Sequence, residues 1–188
     1  MQLFKRFALG ITVLLSVALA QDSSGTTTPT TPSAVTTQSM DADSLFVMTA
    51  AQEDLFEITS SQLALERAES QEVRDYAQQM ITDHTATTEQ LTPIASELGV
   101  TPPTEPAPAQ QFMLAHLQTL QGADFDTAYL RHQVLAHQAA VDAFTTAAAG
   151  GVQNQSLVEF ASQNLPTLEQ HLAMAQQMAG QTTQPVTQ

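Results

Sequence analysis

The sequence predicts an all-α protein: an antiparallel four-helix bundle whose two helix pairs are joined by a long crossover carrying a short helix. Three observations predict it. Four long segments place apolar residues at helical rather than alternating spacing. The connections between them run tight, long, tight, the pattern of two antiparallel pairs linked by a crossover. Alanine is abundant, aromatic residues are 5% of the chain, and no run reads as a strand, which suits helices packed closely through small side chains.

The N-terminus precedes the bundle. "MQLFKRFALGITVLLSVALAQ" joins a basic Lys5-Arg6 region to an apolar run from Phe7 to Leu19 and ends on Ala18-Leu19-Ala20. That is the pattern of a secretory signal over residues 1–20, and an exported protein of the periplasm, cell envelope or medium is expected. The run is too short for a stable transmembrane helix. Without cysteine the chain forms no disulfide, carries no lipidated N-terminal Cys and offers no thiolate ligand. Residues 21–42, rich in Thr, Ser and Pro, bury too little apolar surface to fold and read as a disordered spacer. The bundle domain is expected over 43–179, with a flexible tail at 180–188.

Cleavage after Ala20 leaves Arg67, Arg74 and Arg131 as the cationic side chains against 19 acids. So acidic a chain lacks the basic footprint that nucleic acid or an anionic membrane requires. Divalent cations are the natural counter-species, and the net charge also keeps the surface soluble.

The first helix is expected from about Ser44 to Glu69, capped by Asp43, with Phe46, Ala50, Glu57, Ala64 and Ala68 on one stripe. The second runs from about Gln71 to Leu98 between Ser70 as N-cap and Gly99 as stop; Val73, Ala77, Met80, His84, Leu91, Ala95 and Leu98 form its stripe. The Pro-rich crossover ends in a short helical pattern from Gln110 to Leu120. The third long helix, capped by Asp124, is expected from about Phe125 to Ala149, with Leu130, Val134, His137, Val141, Phe144 and Ala148 inward, and Gly150-Gly151 ending it. The fourth, capped by Asn154, runs from about Gln155 to Met178, with Leu157, Ala161, Leu168, His171 or Leu172, Ala175 and Met178 inward. Pro93 and Pro166 lie inside helices, where proline removes a hydrogen bond, and the fourth is expected as one kinked helix.

The chain shows no phosphate-binding glycine loop, nucleophile elbow, H-E-x-x-H or EF-hand pattern. What remains is one polar group on each apolar stripe: Glu57, His84, His137 and His171. At ~1.5 Å rise per residue, Glu57, His84 and His137 share a level, and His171 is offset by roughly one and a half turns, ~8 Å. Imidazoles with a carboxylate in a bundle core suit zinc, iron, copper or nickel, with Asp83 or Glu169 as outer or alternative ligands. The same pattern fits histidines that are simply packed, their nitrogens satisfied by neighbouring groups. Asp83 and His84 stand about 100° apart on their helix, so one of them alone faces the centre squarely. His116 and His132 read as surface or edge residues, the methionines as core filler, and Tyr129 as a hydrogen-bonding group across the bundle.

"FVMTAAQEDLFEITSSQLALERAES", "VRDYAQQMITDH", "LGVTPP", "GADFDTAYLRHQVLAHQAAVDAF" and "FASQNLPTLEQHLAMA" occur in this order over residues 44–178. In these blocks the chain resembles the exported bacterial family called domain of unknown function 4142. The resemblance implies a ferritin-like four-helix bundle in the periplasm or cell envelope. Ferritin-like di-iron sites take a Glu from each of two helices and Glu-x-x-His from the other two. Here Ile81 and Leu168 stand three residues before His84 and His171, and His137 stands where a Glu is expected. The first reading is therefore a non-catalytic envelope protein with a stress-related or interaction role. The second is a metal-binding or metal-buffering bundle using Glu57, His84, His137 and His171. A di-iron-type oxidoreductase comes third. Intact mass of the protein recovered after export is expected to fit a chain beginning at Gln21; a mass that retains residues 1–20 would overturn the cleavage assignment.

Overall fold

The computed structural model describes residues 40–182, with side chains through residue 180. The expected signal at 1–20, spacer residues 21–39 and the tail beyond 182 lie outside the described residues. Among the described residues five α-helices follow one another: α1 (Ala42–Arg67), α2 (Gln71–Glu97), α3 (Pro108–Leu117), α4 (Gly122–Thr146) and α5 (Gln155–Thr182). A π-helical turn, Ala147–Gly151, continues α4. No strand occurs among the described residues, and none of their helices is long and apolar enough to cross a membrane.

α1 packs along α2, and α4 along α5. α1 also faces α4 and α2 faces α5, so the four long helices close a square in the order α1, α2, α5, α4. The short crossover helix α3 lies against α1 and α4. This is the expected bundle. α5 is a single helix across Pro166 and extends to Thr182, past the expected end of the domain. Pro93 and Pro166 are both exposed, so the carbonyls they leave unpaired face water and the helices continue.

The core is layered. At one end Phe46, Phe144 and Phe160 meet edge to face or tilted among Leu157, Leu91 and alanines. At the other, Tyr76, Phe125, Tyr129, Leu117 and Met80 pack together. Between these layers lies a polar one, holding Asp54, Glu57, Ser60, His84, Gln133, His137 and His171, all buried. Tyr129 bonds across the bundle as expected, its hydroxyl 2.8 Å from Ser61 Oγ.

The buried face of α4 is rotated from the expected stripe. Gln133, Ala136 and Ala140 point inward, while Val134, Val141 and Ala148 are half-buried. Apolarity selects the valines, but Gln133 has partners inside: its Oε1 accepts from the Tyr76 hydroxyl at 3.2 Å and its Nε2 donates to Ser60 Oγ at 3.2 Å.

Ser70 and Asn154 cap their helices as expected. After α2, Gly99 at φ 67 takes the left-handed position, and the Val100 amide reaches back to the Ala95 carbonyl at 2.9 Å. Two expected caps are corrected. Asp41, not Asp43, caps α1. Asp43 instead accepts from the Gln153 and Asn154 amides in the α4–α5 connection, at 2.6 and 3.3 Å. Asp124 does not cap α4, which starts earlier, at Gly122 after Gln121. The working acid is Asp126, buried, whose two oxygens accept from the Glu69 and Ser70 amides at 3.1 and 2.9 Å. Each tight connection is thus held by a carboxylate from the other helix pair. Asp126→Ala leaves two amides of the α1–α2 turn without their acceptor and is expected to cost about 2 kcal/mol. An unchanged urea midpoint would show that the turn does not depend on this contact.

Candidate metal centre

His84 on α2, His137 on α4 and His171 on α5 meet in the middle layer. Their ring centroids lie 5.4–5.7 Å apart, and one ring nitrogen from each lies within 4.8 Å of those of the other two. His171 is therefore level with the others, against the expected offset. The cause is the α4–α5 connection. The expected offset counts from a turn at residues 151–152, whereas the π turn, with Gly150 at φ 89, carries the helix through Gly151, and α5 starts, as expected, at Gln155. The chain reverses near Asn154, from which His137 and His171 are equally distant in sequence.

Each ring is anchored by one nitrogen. His84 Nδ1 donates to Asp54 Oδ1 at 2.8 Å, and Asp54 Oδ2 accepts from Thr88 Oγ1 at 2.9 Å. His171 Nε2 donates to Asp83 Oδ2 at 2.9 Å. His137 Nδ1 donates to the Gln133 carbonyl at 3.1 Å, with Glu57 Oε1 3.6 Å away. The opposite nitrogens, His84 Nε2, His137 Nε2 and His171 Nδ1, are buried and have no hydrogen-bond partner. In a neutral imidazole protonated at the anchored nitrogen, the other carries a lone pair. Three such lone pairs in one buried layer, each ring aimed by a carboxylate or carbonyl behind it, is the arrangement that holds metal-ligating histidines.

The electrostatics favour a cation. Burial, then the neighbouring His84, pushes the His137 and His171 imidazoles below their usual range, so protons are a poor occupant. Burial lifts the Asp54 carboxyl despite the pull of His84. Burial, and then Glu53, holds Glu57 well above the carboxylate range. Neither Glu57 oxygen has a hydrogen-bond partner, although the residue is 1% exposed. Glu53, beside this group, is pushed up to about 7 by burial and by Asp54. Two rings, His137 and His171, that resist protonation among carboxyls that resist ionisation are surroundings that a divalent ion reverses, because its charge favours every lone pair and every anion near it.

Of the residues expected at the site, the structure brings together His84, His137 and His171, with Glu57 beside His137 and Asp83 behind His171. Glu57 approaches the anchored nitrogen of His137, so it stands behind the ring. Glu169 is exposed on α5. Asp54 was missed. The signal for it was a gap: the α1 stripe passes from Ala50 to Glu57, and its period places residue 54 between them. His116 and His132 lie outside this layer, with facing ring nitrogens 3.2 Å apart.

The chain belongs to the family described as "Domain of unknown function (DUF4142)", which it matches over residues 28–178. No curated protein matches it significantly. A solved structure that resembles it is the "Crystal structure of DUF305 fragment from Deinococcus radiodurans", with a TM-score of 0.66 at 18% identity over 76% of this chain and 97% of that one. At that identity the likeness is one of fold.

The raised Glu53 gives a pH dependence whose sign is fixed. Folded Glu53 holds its proton to about 7, whereas its ordinary value is 4.5. Its contribution is fully present below 4.5 and is lost as pH rises through 7, because unfolding then releases a proton. The depressed histidines act oppositely, but their effect is common to wild type and Glu53→Gln and cancels between them. The urea midpoint of Glu53→Gln is expected to rise relative to wild type between about pH 5 and 7. Parallel pH profiles would overturn the assignment.

Proposed function

We propose that this member of the family binds one divalent transition-metal ion at the centre of its bundle, through His84, His137 and His171, and that it holds or buffers such an ion in the cell envelope. The observation that carries the reading is the meeting of three buried imidazoles, one ring nitrogen of each within 4.8 Å of those of the other two, on rings that each have one nitrogen anchored and one without a partner. A tripod of neutral imidazoles suits zinc, which takes this donor set in four-coordinate sites, and it also accommodates iron, copper and nickel. Asp54, Asp83 and Glu57 act behind the rings: they fix orientation, raise the basicity of the nitrogens and supply negative charge. The signal-like residues 1–20 and the acidic chain support an envelope location.

The donor set argues against a di-iron oxidoreductase. Bridging carboxylates would have to stand between two ions, whereas Asp54 and Asp83 are engaged with ring nitrogens, and Ile81 and Leu168 occupy the positions where such a site has Glu. Holding an ion needs no turnover, so the reading remains non-catalytic.

Tag-free protein, loaded and then desalted, is expected to retain about one equivalent of metal by mass spectrometry, and to be stabilised by ~2.7 kcal/mol at a free ion concentration of 100 times Kd. His84→Ala, checked for helicity by circular dichroism, is expected to lose both. Failure to retain zinc, iron, copper or nickel would overturn the proposal and leave the histidines as structural links between helices.

A further inference from the structure

A pocket of about 170 Å³ opens at the seam between α2 and α5, where the long helices meet least. Its walls include two of the three histidines, His84 and His171, together with Asp83, Thr87, Asn164 and Leu168. His137 does not line it. On the other sides Asp54 and Glu57 of α1 and Gln133 of α4 are 3%, 1% and 0% exposed, and a smaller hollow of about 70 Å³ reaches Asp54 but none of the three rings. An ion held by one nitrogen from each ring would have this pocket beside two of its three ligand rings. Three imidazoles leave a four-coordinate ion one vacant position, the arrangement of sites that exchange a ligand rather than of closed structural ones.

We propose that an ion on the His84–His137–His171 tripod keeps one coordination position open to the α2–α5 pocket, and that this position takes a small exogenous ligand: water, exchangeable for a molecule or anion of a few heavy atoms. The inference rests on the metal reading above. Size sets the ligand class. At ~30 Å³ per water the pocket holds roughly six, which is too few for a nucleotide or a peptide. The walls are hydrogen-bonding rather than greasy. Asn164 Nδ2 donates to Gln90 Oε1 at 3.1 Å across the mouth, and Thr87 Oγ1 donates to the Asp83 carbonyl at 2.9 Å.

Cobalt(II) replaces the ion with visible bands that report its coordination, and azide serves as the small ligand. Thr167 and Ala86 are exposed residues of the pocket wall, so Thr167→Trp and Ala86→Trp narrow the mouth without touching the ligating rings or the core. Wild-type cobalt protein is expected to change its bands on azide addition. Both variants are expected to load cobalt fully and to bind azide at least about tenfold more weakly. Bound cobalt whose bands ignore azide would overturn the open position alone. An azide response equal in wild type and both variants would overturn the pocket as its location. Failure of cobalt to bind at all, in wild type as in His84→Ala, would overturn the metal reading and this inference with it.

Discussion

The middle layer of the bundle sets the constraint on which the rest depends: three imidazoles are buried with one nitrogen each unpartnered. A buried polar group left without a hydrogen bond costs about 1–3 kcal/mol. The bundle carries several in one layer, so its stability has to come from elsewhere. It comes from the two apolar layers, the phenylalanine cluster at one end and the aromatic cluster around Tyr129 at the other. The polar layer contributes position. A slip of one residue along any long helix moves a ring by ~1.5 Å and turns it by about 100°, which removes it from the group. Register is therefore what the fold has to protect. The two acids that grip the opposite pair's turn, Asp126 on the α1–α2 turn and Asp43 on the α4–α5 connection, do this at both ends.

The polar layer is continuous with a network below it. The Tyr76 hydroxyl donates to Gln133, and Gln133 donates to Ser60, which joins α2, α4 and α1. One turn along α4, the backbone carbonyl of the same Gln133 accepts from His137 Nδ1. Gln133 thus fixes the rotation of α4 with its side chain and the tautomer of His137 with its backbone. That accounts for the inward turn of α4 towards Gln133 and its small neighbours Ala136 and Ala140, at the expense of the valines.

Much of this was legible in the sequence. Helical periodicity located the four long helices, Ser70 and Gly99 marked the ends of α2, and the apolar stripes of α2 and α5 are the buried faces observed. His84 and His137 were placed at one level by counting from the turns. What could not be read are features set by contacts between helices. The height of His171 depends on a π turn after α4 that alanines and two glycines do not announce. Asp43, like Asp124 beside Asp126, resembles an N-cap in a local pattern, but Asp43 and Asp126 accept from connections more than fifty residues away. Asp54 is an acid on an apolar face, and only its contact with His84 gives it a reason to be there.

The same contacts explain why Asp83 and His84 are neighbours. About 100° of rotation separates them, so α2 sends one imidazole into the centre and one carboxylate to the seam, where it aims the imidazole of α5. α1 does likewise for the others, with Asp54 aiming His84 and Glu57 beside His137. These pairs lie along three edges of the square: α1 to α2, α1 to α4 and α2 to α5. The fourth edge, α4 to α5, is closed by the chain itself. Across the diagonal from α2 to α4, the Tyr76 hydroxyl bonds to Gln133, and the rings of His84 and His137 meet edge to face with that of His171 beside them. An ion bound by all three would complete the layer and make the fourfold packing and the metal affinity one equilibrium, since no arrangement of the helices that loses register keeps the tripod.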